Sequence, residues 1–346
     1  MEEQNQDTPF LSHSIMNPKV LLIYGKSNIH LGLWKDLEND NRVALRATTY
    51  RPLSRMGIWC RKAYFKFDRH VFASTAKHIF FNYYDIYQIA RKVKHIVVVD
   101  GALNQVNISE LKKCKRLNPK VEISLYLINS MNADSPIMRG VRPKIGKFNW
   151  NHIYTFDKKD AEQYGYKYLG FNYYSYHHLK PSRDLPISNV FFVGGLKGGR
   201  TNLIENLYNY FNKNSVICDF YMMPMGKITV STLPGVYYYR GWRPYEEILA
   251  HVQQTNCIIE IMQEGQNGAS LRYFEAVCMN KKLLTNNPNI VDFPFYDSRW
   301  MRIFKTEEDI DIEWVKMEDN VDYGYQGEFS PSNFIDYLLK DEHEKV

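Results

Sequence analysis

The chain has 346 residues, of which 45% are hydrophobic and 24% charged, a composition typical of a globular protein with room for two domains. Its five cysteines show no paired short spacing, which excludes a zinc framework and a disulfide framework and favours a reducing compartment. The net charge of +6 suits phosphate or anionic lipid as a partner and does not require nucleic acid.

The start of the chain, MEEQNQDTPFLSHSIMN, is acidic and polar, unlike a signal peptide, and we expect residues 1–17 to form a flexible tail. No apolar run reaches the roughly 18 residues that a membrane-spanning helix needs. The sequence therefore predicts a cytoplasmic protein whose contact with a membrane, if it has one, is peripheral.

Apolar runs of strand length alternate with helical patterns through the first half of the chain. The predicted strands are 19–24, 94–100, 121–128 and 153–156, and the predicted helices lie near 31–37, 109–117 and 157–165. This alternation predicts a doubly wound parallel sheet. The turn GKSNIHLG lacks the glycine spacing of a dinucleotide fingerprint, so we expect no nicotinamide or other cofactor.

Asp100 ends a predicted strand, and ligands of open α/β sheets bind outside the carboxyl ends of strands. Its position makes Asp100 a candidate catalytic base. The alternative is an aspartate that caps the next turn. No group of residues with metal-ligand spacing stands at a predicted strand end, so no metal is expected.

Residues 51–72, RPLSRMGIWCRKAYFKFDRHVF, have the period of an amphipathic helix. One face carries Arg55, Lys62, Lys66 and Arg69, with Trp59 toward the same side, and the opposite face carries Met56, Cys60, Tyr64, Phe67 and Val71. The basic face suits an anionic membrane surface or the diphosphate of a lipid-linked acceptor. An ordinary helix with its apolar side in the core fits the pattern equally well.

A polar, proline-bearing stretch at 172–188 predicts the boundary between a first domain, 18–175, and a second domain, 188–330. Further strands are expected at 217–222 and 236–239, with a helix at 244–253. The last part, 331–346, should form a helix that begins at its proline and packs back on the first domain.

The second domain opens with a predicted strand, a glycine-rich loop and a helix. Gly194 and Gly195 allow the backbone to approach a donor diphosphate, and Lys197 and Arg200 carry charge that can neutralise it. The spacing is not that of a P-loop, which disfavours ATP hydrolysis. A glycine-rich surface turn is the alternative.

The stretch from Cys257 to Asn287 has the pattern strand, glycine-bearing loop, helix, strand, which is a βαβ crossover. Ser270 can cap the helix, and the unpaired amides and dipole at its start favour a diphosphate. Arg272 can add a charge-assisted contact, and Glu275 can accept hydrogen bonds from a ribose. The alternative is a surface ion pair on one helical turn.

This unit resembles the donor-sugar half of GT-B glycosyltransferases, and more narrowly the bacterial branch of lipopolysaccharide-core and capsule biosynthesis. The residues that carry the resemblance are Glu260, Gln266, Gly268, Ser270, Arg272, Glu275, Ala276, Lys282, Leu283, Thr285 and Asn286. It is strong over 190–304 and weak before 150. Retaining enzymes of this fold usually carry a glutamate eight positions before the ribose-binding one. Here that position is Asn267, which leaves a retaining or an inverting outcome open.

The resemblance implies two Rossmann-like domains facing a central cleft, and transfer of a sugar from a nucleotide-sugar to a glycan or lipid-linked acceptor. It implies metal-independent chemistry in the synthesis of bacterial cell-surface polysaccharide or lipopolysaccharide, at the inner face of the membrane. His30 lies where some inverting GT-B enzymes place a catalytic histidine, although a loop histidine bonded to backbone is equally compatible. A sugar-nucleotide epimerase of the same fold and a binding or scaffold protein without turnover are the alternatives.

Overall fold

The structure, a computed structural model, describes residues 17–25, 28–48, 56–60, 84–133, 135–175, 185–196, 200–224, 231–239, 243–262 and 268–340. Its helices and strands form two α/β units, each built on one parallel sheet. We call these units the first and the second domain.

The first sheet has six strands in the order β2-β1-β3-β4-β5-β6, and all its pairs are parallel. The strands are β1 (Val20–Gly25), β2 (Val43–Thr48), β3 (His95–Val99), β4 (Glu122–Leu127), β5 (Ile153–Thr155) and β6 (Lys167–Tyr168). The four predicted strands of this half are all present. The edge strand β2, VALRAT, was not predicted, because polar residues interrupt its apolar run.

The helices of this first domain are α1 (Asn28–Leu33), α2 (Tyr84–Ala90), α3 (Asp100–Leu103), α4 (Ile108–Leu117), α5 (Pro136–Ile145) and α6 (Lys158–Tyr164), beside a 3-10 helix, Lys35–Leu37, and a helical stretch at 56–60. Local chemistry fixes the ends of α6. The Asp157 side chain accepts hydrogen bonds from the first amides of the helix, and Gly165 ends it with a φ of 70°. Both ends of α6 follow the sequence prediction.

The second sheet repeats the design in the order β12-β11-β10-β7-β8-β9, again with parallel pairs. Its strands are β7 (Ser188–Gly195), β8 (Cys218–Met223), β9 (Val236–Tyr238), β10 (Thr255–Glu260), β11 (Lys282–Thr285) and β12 (Met301–Ile303). The helices are α7 (Arg200–Lys213), α8 (Tyr245–Gln253), α9 (Leu271–Cys278) and α10 (Ile312–Lys316), with 3-10 helices Pro288–Asp292 and Glu307–Asp309.

The carboxyl ends of the two sheets face each other. Gly268 follows β10 and lies against the ring of Phe156, which follows β5, so closely that a Cβ atom at Gly268 would overlap this ring. Two doubly wound parallel sheets that meet at their carboxyl ends form the two-domain GT-B arrangement, and the predicted fold class is confirmed.

Two segments of the chain run side by side where the domains join. The amide of Tyr174 donates to the carbonyl of Phe329 at 2.7 Å. Beyond this junction, the helix α11 (Pro331–Lys340) returns to the first sheet, where the ring of Phe334 stacks on Tyr126 with ring centroids 5.2 Å apart. The side chain of Asp336 pairs with Arg42 before β2. Apolar and aromatic residues of both domains thereby share one buried cluster.

Candidate functional site

Each sheet has one point where the chain reverses the direction in which strands are added. In the first sheet it lies between β1 and β3, and in the second between β7 and β10. Ligands of open α/β sheets bind outside the carboxyl ends of the strands at such a point. The helices that follow β1, β3, β7 and β10 carry His30, Asp100, Arg200 and Arg272, so the topology places the main candidates at the two switch points.

A buried carboxylate holds the start of α9. Glu260, the last residue of β10, accepts hydrogen bonds from the hydroxyls of Ser270 and Thr285. The Ser270 Oγ atom in turn accepts from the Arg272 amide at 3.1 Å and caps α9, as predicted. Burial raises the pKa of Glu260, which the two hydroxyl donors partly offset. This network fixes the start of α9 against the end of the strand.

Arg272 lies in the first turn of α9 and is only 13% exposed. Its Nη2 atom donates to Glu275 Oε1 at 2.6 Å. Its Nη1 atom is buried, and among the described residues it has no hydrogen-bond partner. A buried donor without an acceptor costs about 1–3 kcal/mol, more when the group is charged, and an anionic ligand oxygen would remove that cost.

Arg200 begins α7, after the glycines that end β7. Its Nη2 atom would lie 3.3 Å from a Cβ atom on Gly194, so a glycine there leaves room for the guanidinium. Burial lowers the pKa of Arg200, and no carboxylate of the described chain is paired with it. Its Nε atom is also buried without a hydrogen-bond partner in that part of the chain. A half-buried cation without a counter-ion is a further position where an anion is stabilised.

Glu275 is fully buried in the structure, at 0% exposure. Its Oε1 atom accepts from the Tyr245 hydroxyl at 2.8 Å as well as from Arg272, and Oε2 is buried without a partner in the described chain. Burial raises the pKa of Glu275 to about 7, partly offset by the charge of Arg272 and the bond from Tyr245. The carboxylate lies below the surface of the cleft, and the contact with a ribose stays a prediction.

The structure describes only some of the other predicted donor residues. Gly195 ends β7, and Gly268 lies at the contact with Phe156 that was described above. Lys197 and Gln266 fall outside the described residues. Their contribution to donor binding therefore stays a prediction.

Asp100 is fully buried at the start of α3, and both its oxygens are in use. Oδ1 accepts from the Gly101 amide, and Oδ2 accepts from the amides of Ile128 and Asn129 and from the Asn129 side chain at 2.9–3.0 Å. Burial raises its pKa to about 6, against these donors. The aspartate thus joins the ends of β3 and β4. A role as catalytic base stays a prediction.

His30 belongs to α1, directly after the end of β1, and only its backbone position is described. Helix α1 contacts α8 of the second domain, so this part of the first switch point faces the other domain. The catalytic role of His30 stays a prediction.

The basic amphipathic stretch is described only over 56–60, which is helical. Arg55, Lys62, Lys66 and Arg69 fall outside the described residues. Trp59 is 69% exposed, as expected for a surface that contacts a membrane or an acceptor. Met56 is 75% exposed, and Cys60 is exposed as well, so the alternative of an ordinary helix with its apolar side in the core does not fit at these two positions.

Two residues of the site were missed by sequence reasoning. Tyr245 bonds to Glu275, and the hydroxyl of Tyr174 lies 2.8 Å from that of Tyr245. Tyr245 lies 30 positions from Glu275 in the sequence, and Tyr174 lies 71 positions from Tyr245, so no local pattern revealed these contacts. In the part of the chain that is described, no three metal-ligating side chains cluster, and no helix is long and apolar enough to cross a membrane.

Several solved structures share the general path of the chain. The α,α-trehalose-phosphate synthase (UDP-forming) from Burkholderia vietnamiensis aligns with a TM-score of 0.47 and 12% identity, over 86% of this chain and 90% of that one. The UDP-N-acetylglucosamine 2-epimerase from Rickettsia bellii aligns at 0.41 and 10%, over 95% of each. The glycosyltransferase SnogD from Streptomyces nogalater aligns at 0.40 and 10%, over 80% and 84%. No protein-family model and no curated protein matches the sequence.

Proposed function

We propose that the chain is a glycosyltransferase that moves a sugar from a nucleotide-sugar donor to a glycan or lipid-linked acceptor. The observation that carries the proposal is the pair of arginines at the second switch point. Arg200 and Arg272 begin the helices after the neighbouring strands β7 and β10, and each has a buried guanidinium nitrogen without a partner in the described chain.

A diphosphate suits this arrangement because it brings two negatively charged groups to two helix starts. The amides and dipole of a helix start favour an anion, and each arginine adds charge-assisted hydrogen bonds. When the sugar leaves, negative charge develops on the diphosphate, and donors that are already in place stabilise it. A metal is not needed for that stabilisation in our proposal, and turnover should survive EDTA.

The acceptor is proposed to bind on the first domain, opposite the donor. Its hydroxyl must lose a proton as the glycosidic bond forms, and His30 and Asp100 are the candidates for that base. Asp100 needs a rearrangement of the β4 end before it can act, because its oxygens accept four hydrogen bonds. The structure describes only the backbone of His30, and both residues stay candidates for the base.

We further propose that the reaction serves bacterial cell-surface polysaccharide or lipopolysaccharide synthesis on the cytoplasmic side of the membrane. The resemblance of 257–287 to that branch and the exposed Trp59 beside predicted basic residues support this setting. The proposed donor domain is 188–330, and the proposed acceptor domain is 18–175.

A panel of nucleotide-sugars and nucleoside diphosphates, read by thermal shift, tests the donor proposal directly. A ligand at about 100 times its dissociation constant should add about 2.7 kcal/mol of apparent stability. The best donor is then incubated without acceptor, and slow release of free sugar identifies an enzyme. If no member of the panel raises the melting temperature, the glycosyltransferase proposal fails. Binding without release of sugar favours a binding protein, and a changed sugar stereocentre favours an epimerase.

A further inference from the structure

Behind Arg272, a chain of hydroxyl groups leads away from the cleft. The Tyr245 hydroxyl donates to Glu275 Oε1 at 2.8 Å. The hydroxyls of Tyr174 and Tyr245 lie 2.8 Å apart. Because the single proton of Tyr245 is given to the carboxylate, the Tyr174 hydroxyl must donate to Tyr245. All three side chains are buried, so these bonds are not shared with bulk solvent.

The far end of this chain lies at the junction of the domains. The Tyr174 amide donates to the carbonyl of Phe329, which lies just before α11. The Tyr174 ring stacks on Phe274 of α9 with centroids 5.8 Å apart. The next residue, Ser175, donates to the Leu33 carbonyl and accepts from the Asp36 amide in the first domain. Tyr174 is therefore fixed to both domains at once.

The near end of the chain is the ion pair of Glu275 and Arg272. A guanidinium group that donates from one nitrogen to a fixed carboxylate can no longer rotate freely. Its other nitrogen then donates in one fixed direction. A carboxylate held only by Arg272 would move with it. Tyr245 supplies the second point of attachment for Oε1, and Tyr174 fixes the hydroxyl of Tyr245.

We propose that Tyr174 and Tyr245 are positioning residues for the donor site, acting through Glu275 to hold the Arg272 guanidinium in one orientation and to link it to the domain junction. This inference rests on the proposed function, in which Arg272 contacts the donor diphosphate. It assigns Glu275 to the support of that arginine rather than to a ribose. A movement at the junction then changes the orientation of a phosphate-binding group.

The first test measures binding of UDP and GDP, and of uridine and guanosine, to Tyr245→Phe and Tyr174→Phe. Each substitution removes one hydroxyl and keeps the ring. We expect Tyr245→Phe to weaken the better diphosphate about ten-fold and Tyr174→Phe about three-fold, with the matching nucleoside changed less than about two-fold. The matched control is Tyr208→Phe, whose hydroxyl bonds to the Pro234 carbonyl at 3.0 Å in another part of the second domain.

A double-mutant cycle separates positioning from a general loss of stability. In the Arg272→Ala background, Tyr245→Phe should no longer weaken diphosphate binding, because the group that it positions is gone. If the effects of the two substitutions multiply as in independent sites, or if the nucleoside loses affinity as much as the diphosphate, the positioning role is overturned.

A second measurement does not depend on any ligand. In nitrogen-15 spectra of the free protein, the side-chain signals of Arg272 should show restrained rotation, and Tyr245→Phe should release it while Tyr208→Phe does not. Unchanged rotation in Tyr245→Phe would overturn the inference. Released rotation in a protein that binds none of the four probes would uphold the positioning role and count against the proposed function.

Discussion

The two switch points of the molecule have the same topology and opposite electrostatics. At the first, the buried carboxylate of Asp100 accepts four hydrogen bonds, and both its oxygens are in use. At the second, Arg200 and Arg272 keep buried nitrogens without partners in the described chain. Folding alone would satisfy a buried polar group wherever it can. The arginine nitrogens without partners in that part of the chain are the positions where the proposed donor would bind, and the four hydrogen bonds of Asp100 join the ends of β3 and β4.

This comparison leads to the largest effect that we predict. Asp100→Ala should lower the free energy of unfolding by about 3 kcal/mol or more, because the amides of Ile128 and Asn129 and the Asn129 side chain lose their shared acceptor. Denaturant unfolding measures the change, and UDP or GDP binding to the folded fraction should be preserved. A fully stable Asp100→Ala without turnover would instead make Asp100 the catalytic base.

Arginine replacements at the second switch point should show the opposite signature. Arg200→Ala and Arg272→Ala should each weaken binding of a nucleoside diphosphate by about 2 kcal/mol, or about thirty-fold. Arg200→Ala should cost little fold stability, whereas Arg272→Ala also leaves the buried Glu275 without its ion-pair partner and lowers the free energy of unfolding. Isothermal calorimetry measures the affinity. Arg302→Ala is a control of equal size, because Arg302 pairs with Asp311 on the edge strand β12, where the pair is exposed. If both variants bind the nucleoside diphosphate as tightly as the wild type, the second switch point is not the donor site.

Titration sharpens the comparison further. Burial raises the pKa of Glu275 from 4.5 to about 7, so the folded state binds this proton more tightly than the unfolded state does. The stabilising contribution is then fully present below about pH 4.5 and is lost as the pH rises toward 7. The difference in unfolding free energy between the wild type and Glu275→Gln should fall by about 3 kcal/mol across that window.

For Asp100 the corresponding window lies lower, from the ordinary 3.8 to about 6. The difference in unfolding free energy between the wild type and Asp100→Asn should change over that pH range and be constant near neutral pH. Unfolding free energies measured at several pH values check both variants. Equal windows for the two carboxylates would contradict the distinct surroundings that the structure gives them.

The smallest effect for a single residue concerns the basic stretch of the first domain. Each lysine or arginine near an anionic bilayer contributes about 1 kcal/mol, so four of them give reversible and salt-sensitive attachment. The protein should sediment with anionic vesicles at low salt and leave them as salt rises. Replacing Arg55, Lys62, Lys66 and Arg69 with glutamate should abolish sedimentation and spare nucleotide binding. If the wild type does not bind such vesicles at low salt, the prediction of membrane contact is wrong.

The sequence predicts the core strands well because their signal is local. Runs such as VFFV before Gly194 are apolar over their whole length, which is the pattern of a parallel strand buried on both faces. The exposed edge of the first sheet has no such signal, and β2 with its Arg46 escaped prediction. The cap of α9 by Ser270 and the positive φ of Asn280 after it were likewise accessible from neighbouring residues.

The site was accessible only in part, because burial and long-range pairing decide it. Arg272 and Glu275 are one turn apart, and a contact between them was expected only in the alternative of a surface ion pair, whereas the contact in the structure is buried. The carboxylate also accepts from Tyr245, which belongs to another helix and is far away in the sequence. For Asp100, the sequence left a base and a cap open, and the structure adds hydrogen bonds to the end of β4 that neither alternative contained.

The return of α11 to the first sheet has a consequence for synthesis on the ribosome. The first sheet is translated early, yet Phe334, which covers Tyr126 and Tyr154, is among the last of the described residues to emerge. The second sheet needs nothing that is translated after β12 to complete its strand order. The first domain, although it is made earlier, should therefore expose an aromatic surface to chaperones until α11 has left the ribosome.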